Sequence, residues 1–259
     1  MRNLLIKSTN RRSFMLLIGA GVNLSLGGGG DVKQRHANDN DNNNGPDPAP
    51  TGGALAIRND EFYKALRATK LMGTRLKPGQ IEGMEGIFTA FQTDGDGNPK
   101  TLAYAFATAA HETGFRMLPV REGFAKSDAQ ARRRLQNRPY SRSSGKYGHA
   151  YYGRGQAQLT WEDNYRTSSG DAGVDLVANP DMMLDPVISA KVLIRGLRDG
   201  RWNGSKKPHT GKGIGYYLPT TGPDDVKNAR RTLNKLDKWN LIAGYYRVFL
   251  GAITQSLTH

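Results

Sequence analysis

The 259-residue chain contains no cysteine and no apolar run long enough to span a membrane. Without cysteine it can form neither disulfide bonds nor zinc sites built on thiolates. Apolar residues make up 37% of the sequence, which is sufficient for one full-sized domain with a hydrophobic core and for some additional segment. The fold must therefore be stable without disulfide bonds.

Residues 1–26 combine a basic leader with a short apolar run, SFMLLIGAGVNLSL. This arrangement is typical of an export signal, and RRSFM at residues 11–15 is close to the twin-arginine export pattern. No clear A-x-A cleavage site follows, so a weakly hydrophobic anchor that is released later is an equal alternative. A further alternative is that this segment is only a disordered basic tail, or that the start codon is assigned too early. We expect an exported protein in the periplasm or outside the cell, or one that is anchored transiently to the membrane.

Residues 27–53 are of low complexity, with a run of four glycines followed by an Asn-, Asp- and Pro-rich stretch. Such a segment cannot bury enough apolar surface to offset the entropy lost on ordering. We therefore expect a disordered linker that tethers a folded part in residues 54–259.

Apolar residues in the folded part recur at helical spacing, whereas strand signals are sparse and short. Helical stripes begin at Phe62, Ile81, Leu102, Val187 and Leu241. The pattern predicts a mainly α domain with at most a small β-hairpin or loop region in residues 147–159.

Two carboxylates, Glu112 and Glu122, are candidates for an acid and base pair. Glu112 ends a predicted helix against a wall of Ala and Phe, where the helix dipole and desolvation both favour the protonated form that a general acid needs. Glu122 follows Arg121 on a predicted loop, where a cation and water are expected to keep it ionised. Glutamates at this spacing are more often solvated or salt-bridged, so the spacing alone does not establish catalysis.

Two motifs suggest metal sites but lack an essential ligand. DGDGNP at residues 94–99 opens like a calcium loop, yet its twelfth position is Ala105 rather than Glu. His111 and Glu112 begin like the zinc motif HExxH, but residue 115 is Phe where the second His is required. We therefore expect no metal and no cofactor.

Four segments resemble one known family. They are AHETG at residues 110–114, YYGRGQAQLTWEDNY at 151–165, NPDMMLDPVISAKVLIRGL at 179–197 and ARRTLNKLDKWNLIAGYYRVFLGAI at 229–253. In this order they resemble glycoside hydrolase family 19, which includes chitinases and related phage and bacterial endolysins. The resemblance covers most of residues 54–259 and implies a lysozyme-like glycosidase domain.

The resemblance also implies site residues. Glu112 matches the general acid, Glu122 falls where the endolysin-like branch places its second carboxylate, and Thr160 matches the hydroxyl residue that helps to hold the attacking water. The substrate-binding residues that the resemblance implies are His111, Tyr152, Arg154, Gln158, Asn164, Tyr165 and Asn234. At Asn234 the sequence reads NKL, without the two glycines of the family's NGG.

The charge of the folded part is strongly positive, because residues 54–259 carry 31 Lys and Arg against 19 Asp and Glu. Such a field concentrates a protein on anionic polymers. No nucleic-acid-binding motif accompanies the basic residues, so an anionic bacterial envelope is the more suitable partner. Residues 126–146 are especially basic and are either a solvated face or a grip on such a polymer.

We therefore expect a monomeric, peptidoglycan-degrading glycosidase, similar to an endolysin or muramidase, that hydrolyses β-1,4 bonds between amino sugars by an inverting mechanism. Chitin, a neutral amino-sugar polymer, is the alternative substrate. A second alternative is a non-catalytic glycan-binding or virion-structural protein that keeps the fold.

Overall fold

The computed structural model describes residues 55–202 and 211–258, and the leader and linker expected in residues 1–53 lie outside them. The described part is mainly helical, as the sequence predicted. Its nine α-helices are α1 Asn59–Thr69, α2 Pro78–Asp94, α3 Pro99–Glu112, α4 Asp128–Arg134, α5 Glu162–Ala172, α6 Pro186–Asp199, α7 Ile214–Tyr217, α8 Val226–Ala229 and α9 Trp239–Ser256. None of these helices is long and apolar enough to cross a membrane.

Three long helices begin with proline in their first turn, where the missing N–H has no helical partner to lose. At the start of α3 the side chain of Asn98 accepts a hydrogen bond of 2.9 Å from the Lys100 amide. The carboxylate of Asp96 accepts from the Thr101 hydroxyl at 2.7 Å. The segment that opens like a calcium loop is therefore a helix-to-helix turn, as expected.

Helix α3 lies in the centre of the core, and every residue from Thr101 to His111 is buried. It packs against α9, which also contacts α1, while α2 and α5 pack against α6. Alanines at positions 103, 105, 107, 109 and 110 let neighbouring helices approach closely. The central helix therefore carries Glu112 out of the core on a rigid support.

The only strand pairing of regular β-structure in the described residues joins β1, Val120–Arg121, to β2, Arg154–Gly155, in antiparallel register. The sequence placed a hairpin within residues 147–159, and this placement was incomplete. Arg154 does form an isolated bridge to Leu159 inside that stretch, but its strand partner is Arg121. The pairing is long-range because it ties the segment after α3 to the YYGRG segment.

A second, small core supports this region. It contains Ala125, Ala131, Tyr140, Ala150 and Tyr152. Leu135 and Trp161 pack against its edge, and the Trp161 ring meets the Tyr140 ring edge to face at 5.2 Å between centroids. The basic segment 126–146 is thus anchored by its apolar residues, whereas most of its charged side chains point to solvent.

Candidate active site

Glu112 is the last residue of α3, and its carboxylate forms an ion pair with Arg230. Oε1 of Glu112 accepts a hydrogen bond of 2.9 Å from Nη2 of Arg230. The exposed fraction is 9% for the Glu112 side chain and zero for that of Arg230. The arginine fixes one carboxylate oxygen from behind, which leaves Oε2 as the oxygen of Glu112 that can face a substrate.

The turn after α3 fixes the direction in which Glu112 points. The Thr113 hydroxyl donates to the carbonyl of Ala109 at 2.7 Å and accepts from the amide of Met117 at 2.9 Å. Gly114 follows with a φ of 58°, a left-handed conformation that favours glycine. The helix therefore stops sharply beside Glu112, as the sequence predicted from Gly114.

Arg230 is a site residue that sequence reasoning missed. Its Nε donates to the carbonyl of Asp237 at 2.9 Å, and its buried Nη1 finds no acceptor among the described residues. The neighbouring Arg231 donates instead to Asn228 at 2.8 Å and is only partly buried. Nothing in the sequence separates the two arginines, because only their burial differs.

Glu122 begins the short 3-10 turn that follows β1. Its Oε1 accepts a hydrogen bond of 2.9 Å from the Tyr140 hydroxyl, and its Oε2 accepts one of 2.8 Å from the Gly153 amide. A Cβ at Gly153 would stand 2.8 Å from the end of the Gln158 side chain and 3.1 Å from the Glu122 carboxylate, so a larger residue would have to displace Gln158. The carboxylate is therefore held by two donors from different segments, and Tyr140 is a second residue that the sequence did not reveal.

Burial raises the pKa of Glu122, although the hydrogen bonds from Gly153 and Tyr140 and the charge of Arg138 oppose the rise. The negative charge of Glu112 adds to it, so the two carboxylates interact electrostatically. We expected Arg121 and water to keep Glu122 ionised, and this expectation was wrong about the partner. The side chain of Arg121 donates instead to Asp181 at 2.6 Å.

Gln158 and Thr160 lie in the loop after β2, and Asn164 lies in the first turn of α5, which follows that loop. The Thr160 hydroxyl donates to the carbonyl of Gln158 at 2.8 Å, and the Asn164 amide donates to the carbonyl of Thr160 at 2.8 Å. The side chain of Gln158 donates to the carbonyls of Val120 and Gly155. Gln158 therefore ties the loop to β1, and the ends of the Gln158 and Glu122 side chains both lie beside Gly153.

Three residues that the resemblance assigns to the cleft are buried. Tyr152, Arg154 and Tyr165 are each no more than 1% exposed. The Arg154 guanidinium lies 3.7 Å from the Tyr152 ring centroid and donates to the Tyr165 hydroxyl at 3.1 Å. It also donates to Asp181 at 2.7 Å. These side chains therefore satisfy one another in the interior, and a role for them in sugar binding stays a prediction.

His111 and Asn234 are also buried. Desolvation lowers the pKa of His111, with the charge of Glu112 opposing that effect. The backbone amide of Asn234 donates to the carbonyl of Arg230 at 2.9 Å, while its buried Nδ2 has no acceptor among the described residues. The structure thus places both residues beside the Glu112–Arg230 pair, and their roles in binding stay predictions.

Behind Glu112, α3 carries two further buried hydroxyls, those of Tyr104 and Thr108, on the same helix face. Neither hydroxyl finds a hydrogen-bond partner among the described residues. Burial raises the pKa of Tyr104, the charge of Arg230 lowers it and that of Glu112 raises it. Tyr104 therefore lies within electrostatic range of the ion pair.

The described residues hold no group of three or more His, Asp or Glu side chains arranged to bind a metal ion. The chemical groups that the site brings forward are the two carboxylates of Glu112 and Glu122. One is braced by a buried arginine, and the other by a tyrosine and a backbone amide. Such a pair can donate a proton to one atom while it activates water at another.

Comparison with known proteins gives partial matches to chitinases. Endochitinase 1 of Theobroma cacao is 35% identical over 117 residues, which cover 40% of this chain and 35% of that protein. The acidic 27 kDa endochitinase of Solanum lycopersicum is 33% identical over 110 residues, which cover 41% of this chain and 40% of that protein. The chain therefore spans well under half the length of these relatives.

Among solved structures, chitinase C from Streptomyces griseus aligns over 80% of both chains with a TM-score of 0.48 and 18% sequence identity. The sequence profile of the family described as chitinase class I, glycoside hydrolase 19, matches residues 81–218, which is more than half of the chain. That segment contains Glu112, Glu122 and Thr160. The chain therefore belongs to glycoside hydrolase family 19.

Proposed function

We propose that the protein hydrolyses the β-1,4 bond between amino sugars, with Glu112 as general acid and Glu122 as general base. The observation that carries this proposal is the pairing of the two glutamates. They interact electrostatically, and each is held by its own set of donors from a separate part of the chain. Glycosidases use two carboxylates with different environments, and the two glutamates provide such a pair.

The acid role of Glu112 rests on Arg230. When a general acid gives its proton to the leaving oxygen, it becomes a carboxylate. A buried guanidinium at 2.9 Å stabilises that charge as it develops. Because Arg230 holds Oε1, the transferred proton is carried by Oε2. Arg230 is therefore a positioning residue that supports proton donation.

The base role of Glu122 rests on its two hydrogen bonds and its burial. Donors from Tyr140 and Gly153 orient the carboxylate, and the raised pKa makes it a stronger base for water. Thr160 commits its hydroxyl proton to Gln158, which leaves its oxygen lone pairs as acceptors for a water molecule. This arrangement supports attack by a water held between Glu122 and Thr160.

Substrates with different leaving groups distinguish the role of the general acid from that of the general base. With an aryl glycoside that departs without protonation, Glu112→Gln should keep much of its activity, whereas on the natural polymer it should lose at least about a hundredfold. Glu122→Ala should fail on both substrates, and azide should restore its activity with the aryl glycoside. If the two variants show the reverse pattern, the acid and the base are exchanged.

An inverting mechanism requires that the two carboxyl groups stand about 6.5 to 9.5 Å apart and that the new reducing end is the α-anomer. The anomer can be observed by proton NMR within the first minutes of the reaction. A β-anomer as the first product would contradict the inverting mechanism but not the assignment of the two carboxylates.

Chitin is the substrate that the relatives favour. The matched plant proteins are named endochitinases, and the matched family is described as chitinase class I. The expectation of peptidoglycan as the first substrate therefore gives way to a chitin-like polymer. Incubation with chitin oligosaccharides, with Glu112→Gln as the control, should release shorter oligosaccharides that mass spectrometry identifies.

Peptidoglycan is a second candidate because of one observation, the excess of 31 basic over 19 acidic residues in residues 54–259. A neutral polymer does not require that charge, whereas an anionic envelope is attracted by it. Fragments with a new reducing muramic acid end would support this substrate. Binding to either polymer without any cleavage would instead favour the non-catalytic glycan-binding alternative.

We also propose export, on the basis of the basic and apolar segment in residues 1–26. We test this proposal by recovering the protein from the medium or periplasm of expressing bacteria and determining its N-terminal residue. A protein that stays in the cytoplasm with residue 1 intact would contradict it.

A further inference from the structure

Phe124 is a large apolar side chain that remains exposed beside the glutamate pair. It lies two residues after Glu122, and 43% of its surface is accessible to solvent. The ring also lies against Gly114, which follows Glu112 by two residues, since a Cβ at Gly114 would stand 3.0 Å from the tip of the ring. The Phe124 ring thus connects the segment that carries the acid to the segment that carries the base.

The backbone at Phe124 adopts a strained conformation that holds the ring in place. Phe124 has a φ of 56°, a left-handed conformation that a phenylalanine adopts only when its surroundings impose it. Arg134 donates to the carbonyl of the preceding Gly123 at 2.6 Å and fixes the turn from the other side. Core packing does not explain why an exposed phenylalanine is held in a strained backbone conformation.

Arg116 is the second part of this surface. Its guanidinium carbon lies 3.9 Å from the centroid of the Phe124 ring, so it covers one face of that ring. The exposed area of Phe124 must then come from the opposite face and the edge. Arg116 itself is exposed and has no carboxylate partner among residues 55–202 and 211–258. Its N–H groups are therefore directed to solvent next to an open aromatic face.

We infer that Phe124 and Arg116 form a sugar-binding subsite that takes an amino-sugar ring carrying an anionic substituent. The open face of Phe124 stacks on the apolar face of a pyranose, and Arg116 donates hydrogen bonds to a carboxylate attached to the same or the next sugar. In peptidoglycan such carboxylates belong to the stem peptides, and to the lactyl groups only where the stem peptide is absent, because the peptide is joined to the lactyl carboxyl as an amide. The inference rests on the proposed function and extends its substrate range from neutral chitin to anionic glycans.

The charge around the subsite agrees with this ligand. Arg138 lies close enough to Glu122 to lower its pKa, and Arg134 lies beside Gly123. The guanidinium fork of Arg116 suits a carboxylate, which it can bind through two parallel N–H bonds. A neutral acetamido group offers one carbonyl oxygen and accepts less from such a fork. The subsite therefore discriminates by charge, whereas stacking on Phe124 serves both glycans.

The test uses the full-length protein with Glu112→Gln, so that ligands are bound but not cut. Isothermal titration measures the Kd for chitotetraose and for a peptidoglycan tetrasaccharide with its stem peptides. Phe124→Leu should weaken both ligands about fivefold to tenfold, whereas Phe124→Tyr, which keeps an aromatic face, should restore binding. Arg116→Gln should weaken only the peptidoglycan fragment, by about tenfold. Arg67→Gln, an exposed arginine on α1, is the matched control and should change neither Kd.

The outcomes separate this inference from the proposed function. If the parent binds both ligands and Phe124→Leu or Arg116→Gln leaves their Kd values unchanged, the subsite is overturned while the proposed function stands. Equal weakening of both ligands by Arg116→Gln overturns the recognition of charge. If the parent binds neither glycan, both proposals fail. KM values of the catalytically active variants on the two polymers give a second measurement that does not depend on Glu112→Gln.

Discussion

Arg230 donates a hydrogen bond of 2.9 Å to Glu112 from a position where its side chain has no exposed surface. A buried guanidinium needs a counter-charge, and Glu112 supplies it at the rim of the core. The relationship is therefore reciprocal. Glu112 allows Arg230 to be buried, and Arg230 fixes the carboxyl oxygen that does not face the substrate.

The first prediction concerns the removal of that arginine. Arg230→Met should lower the free energy of unfolding by about 3 kcal/mol, because it leaves the enclosed Glu112 carboxylate without its partner. Among molecules that remain folded at low temperature, kcat should fall at least about a hundredfold with KM little changed. Urea unfolding and steady-state kinetics measure the two effects.

The neighbouring Arg231 provides the matched control for this experiment. It is partly exposed and donates to Asn228 at 2.8 Å rather than to a glutamate. Arg231→Met should change stability by less than about 1 kcal/mol. Equal effects of the two substitutions on kcat would show that Arg230 has no special relation to the acid.

A second prediction concerns the pH dependence of catalysis. The base must be ionised, so kcat/KM should rise with pH through the pKa of Glu122, which burial places above its ordinary value of 4.5. The Tyr140 hydroxyl favours the ionised form. Tyr140→Phe should therefore move the acid limb of the profile to higher pH. A profile that does not move would show that Glu122 is not the group that controls this limb.

The same raised pKa makes a third prediction, for stability. A carboxyl whose folded pKa exceeds its unfolded value contributes stability that is fully present below the unfolded pKa and is lost as the pH rises through the folded pKa. The free energy of unfolding of the parent should thus decline above about pH 4.5 relative to that of Glu122→Gln. Urea titrations at intervals between pH 4 and 7 test the difference in slope.

A control for this comparison is Glu82→Gln on α2, an exposed carboxyl. Its stability profile should run parallel to that of the parent. If Glu122→Gln also runs parallel to the parent, the carboxyl of Glu122 is better solvated than its surroundings indicate.

The sequence predicted the long helices well because their signals are local. Apolar stripes that begin at Ile81 and Leu102 predicted α2 and α3, and the second of these helices was expected to end at Glu112, as it does. It also brought Glu112 and Glu122 forward as a pair, first by their contrasting surroundings and then by resemblance. These features depend on neighbours in the chain, which can be read from one sequence.

The polar partners could not be read in the same way. Tyr140 and Gly153 reach Glu122 from positions 18 and 31 residues away, and Arg230 reaches Glu112 from 118 residues away. The burial of the YYGRG segment could not be read from the sequence for a related reason. Its tyrosines and arginine have the chemistry of a sugar site, but a partner at Asp181 and the packing of Tyr165 turn them inward.

A fourth prediction distinguishes a structural role of Arg154 from a role in sugar binding. Arg154→Met should lower the free energy of unfolding by about 3 kcal/mol or more, because it leaves buried acceptors such as the Ala150 carbonyl unpaired and removes one of the two arginines that bind Asp181. Arg121→Met removes the other, more exposed arginine on Asp181 and should cost less than about 1 kcal/mol. A stable Arg154→Met protein with a raised KM would restore the sugar-binding interpretation.

The fifth prediction compares two buried tyrosines whose rings lie 6.0 Å apart. The Tyr246 hydroxyl donates to Asp224 at 2.8 Å, whereas the Tyr104 hydroxyl has no partner in the described part of the chain. Loss of a hydrogen bond to a charged group costs about 1.5 to 3 kcal/mol, whereas loss of an unpaired buried hydroxyl removes a desolvation penalty. Tyr246→Phe should thus lower stability, and Tyr104→Phe should leave it unchanged or raise it.

Chemical denaturation of both variants measures this contrast, and kcat is measured beside it. A decrease of more than about 1 kcal/mol in the free energy of unfolding of Tyr104→Phe would show that the Tyr104 hydroxyl is paired. The candidate partners are Nη1 of Arg230, which is also buried without an acceptor among the described residues, and an ordered water molecule. If kcat then falls in Tyr104→Phe but not in Tyr246→Phe, the hydroxyl acts on Glu112 through Arg230. Equal kcat values in both variants would show that the Tyr104 hydroxyl has no role in catalysis, because the two rings pack in the same part of the core.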